Sequence, residues 1–319
     1  MHHFAVGSPG EDRQGFPLHG NGMGQGELIL QYFLSGITKG SIYAVVAIGF
    51  NLIYSATGIL NFAQGEFVML GGMVAVTLSF FVPLPVAVAA AVLIVALVGG
   101  LLEIVFFRHL RRHSILHMII ITIGLSIVIR EAALHLWDEQ VRSLPYFTGD
   151  EASSVKLFKA AISPQVLWVL GTMAVIVVLL HVFLRYTMRG RAMRACSSNP
   201  AAAMLAGINI SNMRTLSFVL SAGLGAMAGC VISPITMTHY EMGAPLAIKG
   251  IAAAILGGLG NPMAAVAGGL LVGVLEAYSV SILPAAYTDV TAFGILLLVL
   301  FVRPHGLLGR PTGESVREF

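Results

Sequence analysis

Residues 86–107 read VAVAAAVLIVALVGGLLEIVFF, and this stretch decides the class of fold. It contains one ionisable residue, Glu103, and as a helix it is long enough to cross the roughly 30 Å hydrocarbon core of a bilayer. Its apolar residues are continuous and do not alternate with polar ones, which excludes a strand of an outer-membrane barrel. The stretch therefore predicts a transmembrane helix.

The rest of the chain has the same apolar character. Of 319 residues, 57% are hydrophobic and 10% are charged, whereas soluble domains average about 25% charged residues. We therefore predict an all-α polytopic integral membrane protein of about eight transmembrane helices. The stretches lie near residues 28–54, 62–82, 86–107, 115–136, 165–187, 213–236, 247–275 and 284–302. They form one transmembrane domain, 28–310, between a disordered N-terminal lead, 1–27, which lacks the apolar core of a signal peptide, and a C-terminal tail, 311–319.

Arginine placement predicts the orientation of the helices, because cytoplasmic loops retain Lys and Arg. Residues 108–113 contain three arginines and no acid, and the loop 186–213 is also rich in arginine. We expect both loops to be cytoplasmic and the more acidic loop between them, 137–164, to lie outside. Three unbroken spans after the second basic loop would, however, place Arg303, Arg310 and Arg317 outside.

The run Leu256-Gly257-Gly258-Leu259-Gly260-Asn261-Pro262 is predicted to interrupt the seventh apolar stretch. Its glycines weaken a helix, and Pro262 disfavours helical backbone at Asn261. Irregular backbone at membrane depth is stable only where protein or a cavity covers it. We therefore expect an interrupted or re-entrant segment near 249–262, with its glycines beside a translocation path. Such a break would change the number of membrane crossings, so a cytoplasmic C-terminus remains an alternative.

The segment Asn61-Phe62-Ala63-Gln64-Gly65-Glu66-Phe67 begins the second span and allows two interpretations. Asn61 and Gln64 have the spacing of a capping box, and Glu66 lies in the first turn, where the helix dipole favours an acid. Alternatively, Gln64 or Glu66 faces a translocation path, because ionisable groups at membrane depth are usually functional. The residues predicted to line such a path are Asn51, Asn61, Gln64, Glu66, Gly257, Gly258 and Gly260.

A short helix is encoded inside the loop 186–213. Asn199 is a good N-cap, Pro200 suits the first helical position, and Gly207 stands where a left-handed residue ends a helix. Isolated helices this short are marginal in water, so the helix needs a protein surface. That surface is either the chain's own helical bundle or a cytoplasmic partner.

The sequence contains no nucleotide-binding or catalytic motif. The four lysines follow Thr38, Val155, Phe158 and Ile248, so the Gly-Lys pair of a P-loop is absent. Gly-x-Ser-x-Gly, His-Glu-x-x-His and Cys-x-x-Cys are absent as well, and two cysteines are too few for a metal site. We therefore expect no enzyme activity, no cofactor and no metal. Two alternatives remain: a secondary transporter coupled to ions through Glu66, Glu276 or Asp289, and a structural membrane protein.

From about Leu28 to Arg310, the chain resembles the membrane permease of branched-chain amino acid ABC importers. The segments that carry the resemblance are Gly40–Ala44, Gly49–Tyr54, Asn61–Phe67, Gly190–Ala195, Ala206–Asn209, Leu256–Gly260 and Arg303–Leu307. The resemblance implies a bacterial inner-membrane importer with a second permease subunit, two cytoplasmic ATPase subunits that bind the ATP, and a periplasmic substrate-binding protein. It leaves branched-chain and related amino acids, urea, amides and small carboxylates open as substrates.

The resemblance also implies that the loop 186–213 contacts the ATPase. The residues assigned to this coupling are Gly190, Arg191, Arg194, Asn199, Pro200, Met204, Leu205 and Gly207. Met204 and Leu205 are the expected apolar contacts, because the neighbouring alanines are short. The chain departs from the family at Gln64, where His is common, and after Asn199, where an acid is common.

Overall fold

The computed structural model describes residues 25–108, 115–149, 155–157 and 160–282, together with positions 290, 294, 297, 298, 301, 306 and 307. Several predictions lie outside these residues. They are the N-terminal lead up to residue 24, most of the first basic loop, most of the eighth apolar stretch with Asp289, and the C-terminal tail with its arginines.

The described part of the chain is built from helices. Their bounds are α1 Gln25–Thr57, α2 Gln64–Ser79, α3 Leu84–Leu102, α4 Ile115–Trp137, α5 Pro164–Tyr186, α6 Met188–Ser198, α7 Pro200–Leu205, α8 Ile210–Thr236, α9 Gly243–Gly257 and α10 Pro262–Ile282. A π-helical turn, Glu103–Phe107, extends α3. Two short antiparallel strands, β1 Val155–Leu157 and β2 Ala160–Ile162, precede α5, with Val155 opposite Ile162.

Within the described residues, six helices are long and apolar enough to cross a membrane: α1, α3 with its π-helical turn, α4, α5, α8 and α10. Many outward-facing side chains of α3, α4 and α5 are large and apolar, among them Leu97, Val128 and Leu179. Such surfaces suit contact with lipid tails. The predicted all-α polytopic class is confirmed, whereas α2 and α9 are shorter, with 16 and 15 residues.

The helices on either side of α4–α7 repeat one pattern. In each half a long helix is followed by a short helix and then by a longer one: α1, α2 and α3, and then α8, α9 and α10. The connections 58–63 and 237–242 are equally long, as are 80–83 and 258–261. The long first helices run in opposite directions, because Gly49 of α1 meets Ser221 of α8 while Ser41 lies near Ile232. The two halves therefore form an inverted repeat, as in many transporters.

Small residues allow α1 and α10 to pack closely. Gly36 and Gly40 of α1 face Gly273 and Leu270 of α10, and a Cβ on Gly40 would lie 2.8 Å from the Cα of Leu270. Spacings of four residues between glycines are typical of helix contacts in membranes, where backbones approach at small side chains. Some of the 36 glycines of the chain therefore allow the close contact between α1 and α10.

The predicted interruption is confirmed, and it lies at residues 258–261. Gly258 and Gly260 have φ angles of 123° and 84°, which L side chains rarely adopt. Asn261 then caps α10, because its side chain accepts hydrogen bonds from the backbone N–H groups of Met263 and Ala264. The apolar stretch 247–275 is thus a hairpin of two antiparallel helices, in which Gly257 packs on Ala264.

Candidate translocation and coupling sites

The first site is the junction where the short helices α2 and α9 begin. Gly65 and Gly243 are in direct contact there, and a Cβ on Gly65 would overlap the carbonyl oxygen of Gly243. Neither helix has a side-chain cap at its N-terminus. Two helix starts, each with a partial positive charge from its backbone N–H groups, therefore meet inside the protein.

Glu66 lies at this junction and is only 1% exposed. Its Oε1 accepts a hydrogen bond of 2.8 Å from the Ser126 hydroxyl on α4, whereas its Oε2 has no hydrogen-bond partner. Oε2 points towards the start of α9, since a Cβ on Gly243 would lie 2.6 Å from it. Arg130, one turn beyond Ser126, is within electrostatic range of the carboxylate. The carboxylate is therefore buried and only half satisfied.

Gln64 does not form the predicted capping box with Asn61. Its Nε2 donates to the carbonyl oxygen of Ser221 at 3.2 Å, and the Ser221 hydroxyl lies 2.6 Å from its Oε1. The capping interpretation is wrong because α2 begins at Gln64 itself, and the fully buried amide is satisfied across the interface with α8. Ser221 also contacts the carbonyl oxygen of Gly49, so α1, α2 and α8 are joined at this point.

Asn61 precedes the junction and is buried. Its Oδ1 accepts a hydrogen bond from the N–H of Ala63 at 3.1 Å, but its Nδ2 has no partner. It borders a small apolar cavity that is also lined by Ile53, Phe107, Met118 and Phe218. Like Glu66, Asn61 therefore carries a buried polar atom that the described chain does not satisfy.

Asn51 and the interruption between α9 and α10 form a separate contact. The Asn51 Oδ1 accepts a hydrogen bond of 2.7 Å from the N–H of Gly260, and its Nδ2 donates to Ala47 within α1. Gly257 and Gly258 are buried, whereas Gly260 is exposed. The predicted path residues thus fall into two groups, one at the helix junction and one at the hairpin turn.

Acidic side chains gather outside the junction. The connection 237–242 is held to the segment after α4 by paired backbone hydrogen bonds between Arg142 and Thr238, of 2.9 and 2.6 Å. The pKa of the Tyr240 phenol is raised by its partial burial, by its neighbour Glu241 and by the more distant Glu139 and Glu131. The three exposed carboxylates therefore create a negative potential around Tyr240, close in sequence to the start of α9.

The second site is the predicted coupling loop, in which each helix is capped locally. Thr187 caps α6 by accepting a hydrogen bond from the N–H of Gly190, and Asn199 caps α7 through Ala202. At the end of α7, Gly207 has a φ angle of 81° and donates to Met204, while Ile208 donates to Ala203. These two bonds form a Schellman motif, and the predicted short helix is confirmed.

The surface of α7 is apolar and exposed. Leu205 is 92% exposed and Met204 is 60% exposed, whereas Ala203 faces inwards. On α6, Arg191 and Arg194 are exposed, and burial raises the pKa of the Cys196 thiol on its inner face. Gly190 is buried against the end of α5, where a Cβ would overlap the carbonyl oxygen of Phe183. Its role in the fold is therefore packing.

A buried ion pair joins the coupling loop to the transmembrane helices. The Arg214 Nε, in the second turn of α8, lies 2.6 Å from the Oε1 of Glu103, which is fully buried. The Thr215 hydroxyl donates to the same carboxylate, and Arg214 also donates to the carbonyl oxygen of Phe107. These contacts fix the π-helical turn at the end of α3 against the helix that follows α7.

The acid Glu276 of α10 is paired. Its Oε1 lies 3.3 Å from Lys39 and 3.2 Å from Lys249, and its Oε2 accepts a hydrogen bond of 2.8 Å from the Tyr43 hydroxyl. This cluster links α1, α9 and α10. Among the described buried acids within the membrane-spanning region, Glu66 therefore has the fewest hydrogen bonds and ion pairs.

Sequence reasoning missed Ser126, Ser221 and Arg214, which complete these sites. Hydroxyl residues are common in membrane helices and usually satisfy their own backbone, so neither serine carried a distinguishing signal. Arg214 directly follows the basic loop 186–213, and the sequence shows nothing of it beyond its charge. Its ion pair with Glu103 depends on the packing of α3 against α8, which the local sequence does not encode.

Comparison with known proteins identifies the family. Residues 32–300 match the family described as the permease component of the branched-chain amino acid transport system. The high-affinity branched-chain amino acid transport system permease protein BraD of Pseudomonas aeruginosa is 35% identical over 90% of this chain and 98% of its own length. LivH of Escherichia coli, with the same description, is 33% identical over 90% of this chain and 97% of its own.

A more distant relative is the probable branched-chain amino acid transport permease protein LivH of Methanocaldococcus jannaschii. It is 26% identical over 86% of this chain and 90% of its own length. The family match extends from α1 to beyond α10 and includes both the helix junction and the coupling loop. The chain therefore belongs to the family of permease components of branched-chain amino acid transport systems.

Proposed function

We propose that the chain is the permease subunit of an ABC importer that carries branched-chain or related amino acids across the bacterial inner membrane. In this proposal it pairs with a second permease subunit, two cytoplasmic ATPase subunits bind and hydrolyse ATP, and a periplasmic binding protein delivers the substrate. The chain itself contributes the path and the mechanical link and needs no cofactor of its own.

The observation that carries this proposal is the exposed apolar surface of α7. Leu205 is 92% exposed and Met204 is 60% exposed, and exposing such apolar side chains to water is unfavourable. A helix of only six residues also needs a protein surface to stabilise it. A groove on an ATPase subunit would remove both side chains from water. Met204 and Leu205 are then the coupling contacts, and the exposed Arg191 and Arg194 flank them.

The proposed mechanism is alternating access. Closure of the ATPase pair pushes α7, and the movement enters the transmembrane domain through α8 and the Glu103–Arg214 ion pair. Because the two halves of the chain are related by an inverted repeat, a tilt of α8 relative to α1 changes the contact between α2 and α9. That contact is the proposed gate of the path.

A test replaces Leu205 by Asp and measures co-purification of the ATPase subunits. Burying an unpaired carboxylate against the partner costs more than burying a neutral polar group, for which transfer data give roughly 2–7 kcal/mol. We expect the Leu205→Asp variant to remain in the membrane, to lose the ATPase subunits and to show no substrate-stimulated ATP hydrolysis.

The matched control places the same charge elsewhere on α7. Ala201 is exposed and lies in the first turn, where the helix dipole favours an acid. Ala201→Asp should therefore retain the ATPase subunits. Full association and uptake by Leu205→Asp would instead mean that α7 needs no partner, and the coupling assignment would be wrong.

A further inference from the structure

The substrate-binding chemistry of the path can be inferred from the helix junction. Glu66 is 1% exposed, and one of its carboxylate oxygens has no hydrogen-bond partner. Leaving a buried charged group unsatisfied is costly, and Ser126 supplies the one hydrogen bond that the described residues make to it. The free oxygen is therefore an acceptor for a donor that the described residues do not provide.

The surroundings of this oxygen are arranged for a molecule with charges of both signs. The uncapped starts of α2 and α9 provide partial positive charge beside the carboxylate. Arg130 adds a full positive charge within electrostatic range, although no direct ion pair joins it to Glu66. A negative acceptor and a positive field thus lie side by side at the junction.

We propose that Glu66 binds the α-ammonium group of the transported amino acid, while Arg130 and the starts of α2 and α9 attract its α-carboxylate. This inference rests on the proposed function and adds to it the groups of this chain that recognise the two charges of the substrate. A zwitterionic amino acid satisfies both charges. Urea, simple amides and small carboxylates lack the ammonium group and leave the Glu66 carboxylate unpaired.

Access to Glu66 is closed in this conformation by glycine contacts. Gly65 and Gly243 touch, and Oε2 is not accessible to solvent. The start of α9 must move away from α2 before a ligand reaches the carboxylate. The binding site and the proposed gate are thus the same contact.

A transport experiment uses the complete complex in proteoliposomes with L-leucine as the probe. We expect Glu66→Gln to raise the KM for ATP-dependent uptake at least about tenfold, because the amide cannot neutralise the ammonium. Glu66→Asp retains the charge and should recover part of the loss. Glu139→Gln, which changes an exposed acid outside the junction, should change the KM less than about threefold.

A labelling experiment distinguishes binding from a structural role. A hydrophobic carbodiimide that modifies Glu66 in the wild-type complex should react more slowly when L-leucine is present, whereas isocaproate, which lacks the ammonium group, should give no protection. Equal protection by isocaproate, protection by Na⁺ in place of L-leucine, or an unchanged KM in Glu66→Gln would overturn the inference. Absence of ATP-dependent L-leucine uptake by the wild-type complex would contradict the proposed function itself.

Discussion

The helix junction and the coupling loop are incomplete in opposite ways. At the junction, Glu66 and Asn61 keep polar atoms buried without partners. On α7, Leu205 and Met204 keep apolar side chains exposed. A buried polar atom needs a hydrogen-bonding ligand, and an exposed apolar patch needs a protein surface. This difference is the reason for proposing a small polar molecule at the first region and a macromolecular partner at the second.

The two regions also differ in how tightly they are packed. Gly65 cannot accept a Cβ without overlap, whereas nothing lies within 4 Å of a Cβ built on Gly207 at the end of α7. The junction therefore tolerates little change, although the proposed gating requires it to open. The outer end of α7 is thus packed loosely, and in the proposed mechanism a partner moves it.

The largest expected effect on uptake comes from Gly65→Ala, which tests whether the junction depends on backbone contact. The new methyl group would overlap the Gly243 carbonyl oxygen and lie 2.7 Å from the Cβ of Ala247. Overpacking of this kind costs about 1–3 kcal/mol. We expect uptake to be abolished and the thermal unfolding temperature of the complex in detergent to fall.

Gly171→Ala in α5 is the matched control, because a Cβ at Gly171 has no neighbour within 4 Å. It should leave uptake and the unfolding temperature nearly unchanged. Normal uptake by Gly65→Ala would show that α2 and α9 do not need this contact, and the gate would have to lie elsewhere.

An intermediate effect is expected at the ion pair that connects the two regions. Glu103→Gln leaves the mostly buried Arg214 uncompensated, and breaking a buried pair typically costs about 3–5 kcal/mol. The unfolding temperature should fall, and ATP hydrolysis should become less dependent on substrate. The double variant Glu103→Gln with Arg214→Met removes both charges and should recover much of the lost stability. No recovery would mean that the pair acts through shape and not through charge.

Local chemistry explains which parts of the fold could be predicted. The interruption at 258–261 and the ends of α7 depend on glycine, proline and asparagine at the positions that adopt the special backbone, so the sequence was sufficient. The membrane helices could be predicted because a continuous apolar stretch is also a property of the local sequence. Asn61 and Gln64 have the spacing of a capping box, but the prediction is wrong because the Gln64 side chain makes its hydrogen bonds with Ser221 on α8.

The junction itself could not be predicted, because its members come from distant parts of the chain. Gly65 and Gly243 meet only after α1 and α8 have packed in opposite directions. The free oxygen of Glu66 is likewise a property of the packed structure. An acid in the first turn of a helix has an ordinary explanation in the sequence, and only its burial beside a second helix start removes that explanation.

In the proposed function, an ATPase drives transport through this chain and no ion gradient is required. The most direct measurement is L-leucine uptake into proteoliposomes that contain the permease pair, the ATPase subunits and the binding protein. We predict uptake that requires hydrolysable ATP and persists when a protonophore and a sodium ionophore collapse the gradients. Uptake that proceeds without ATP and stops when the gradients collapse would contradict the proposed function and would identify an ion-coupled transporter.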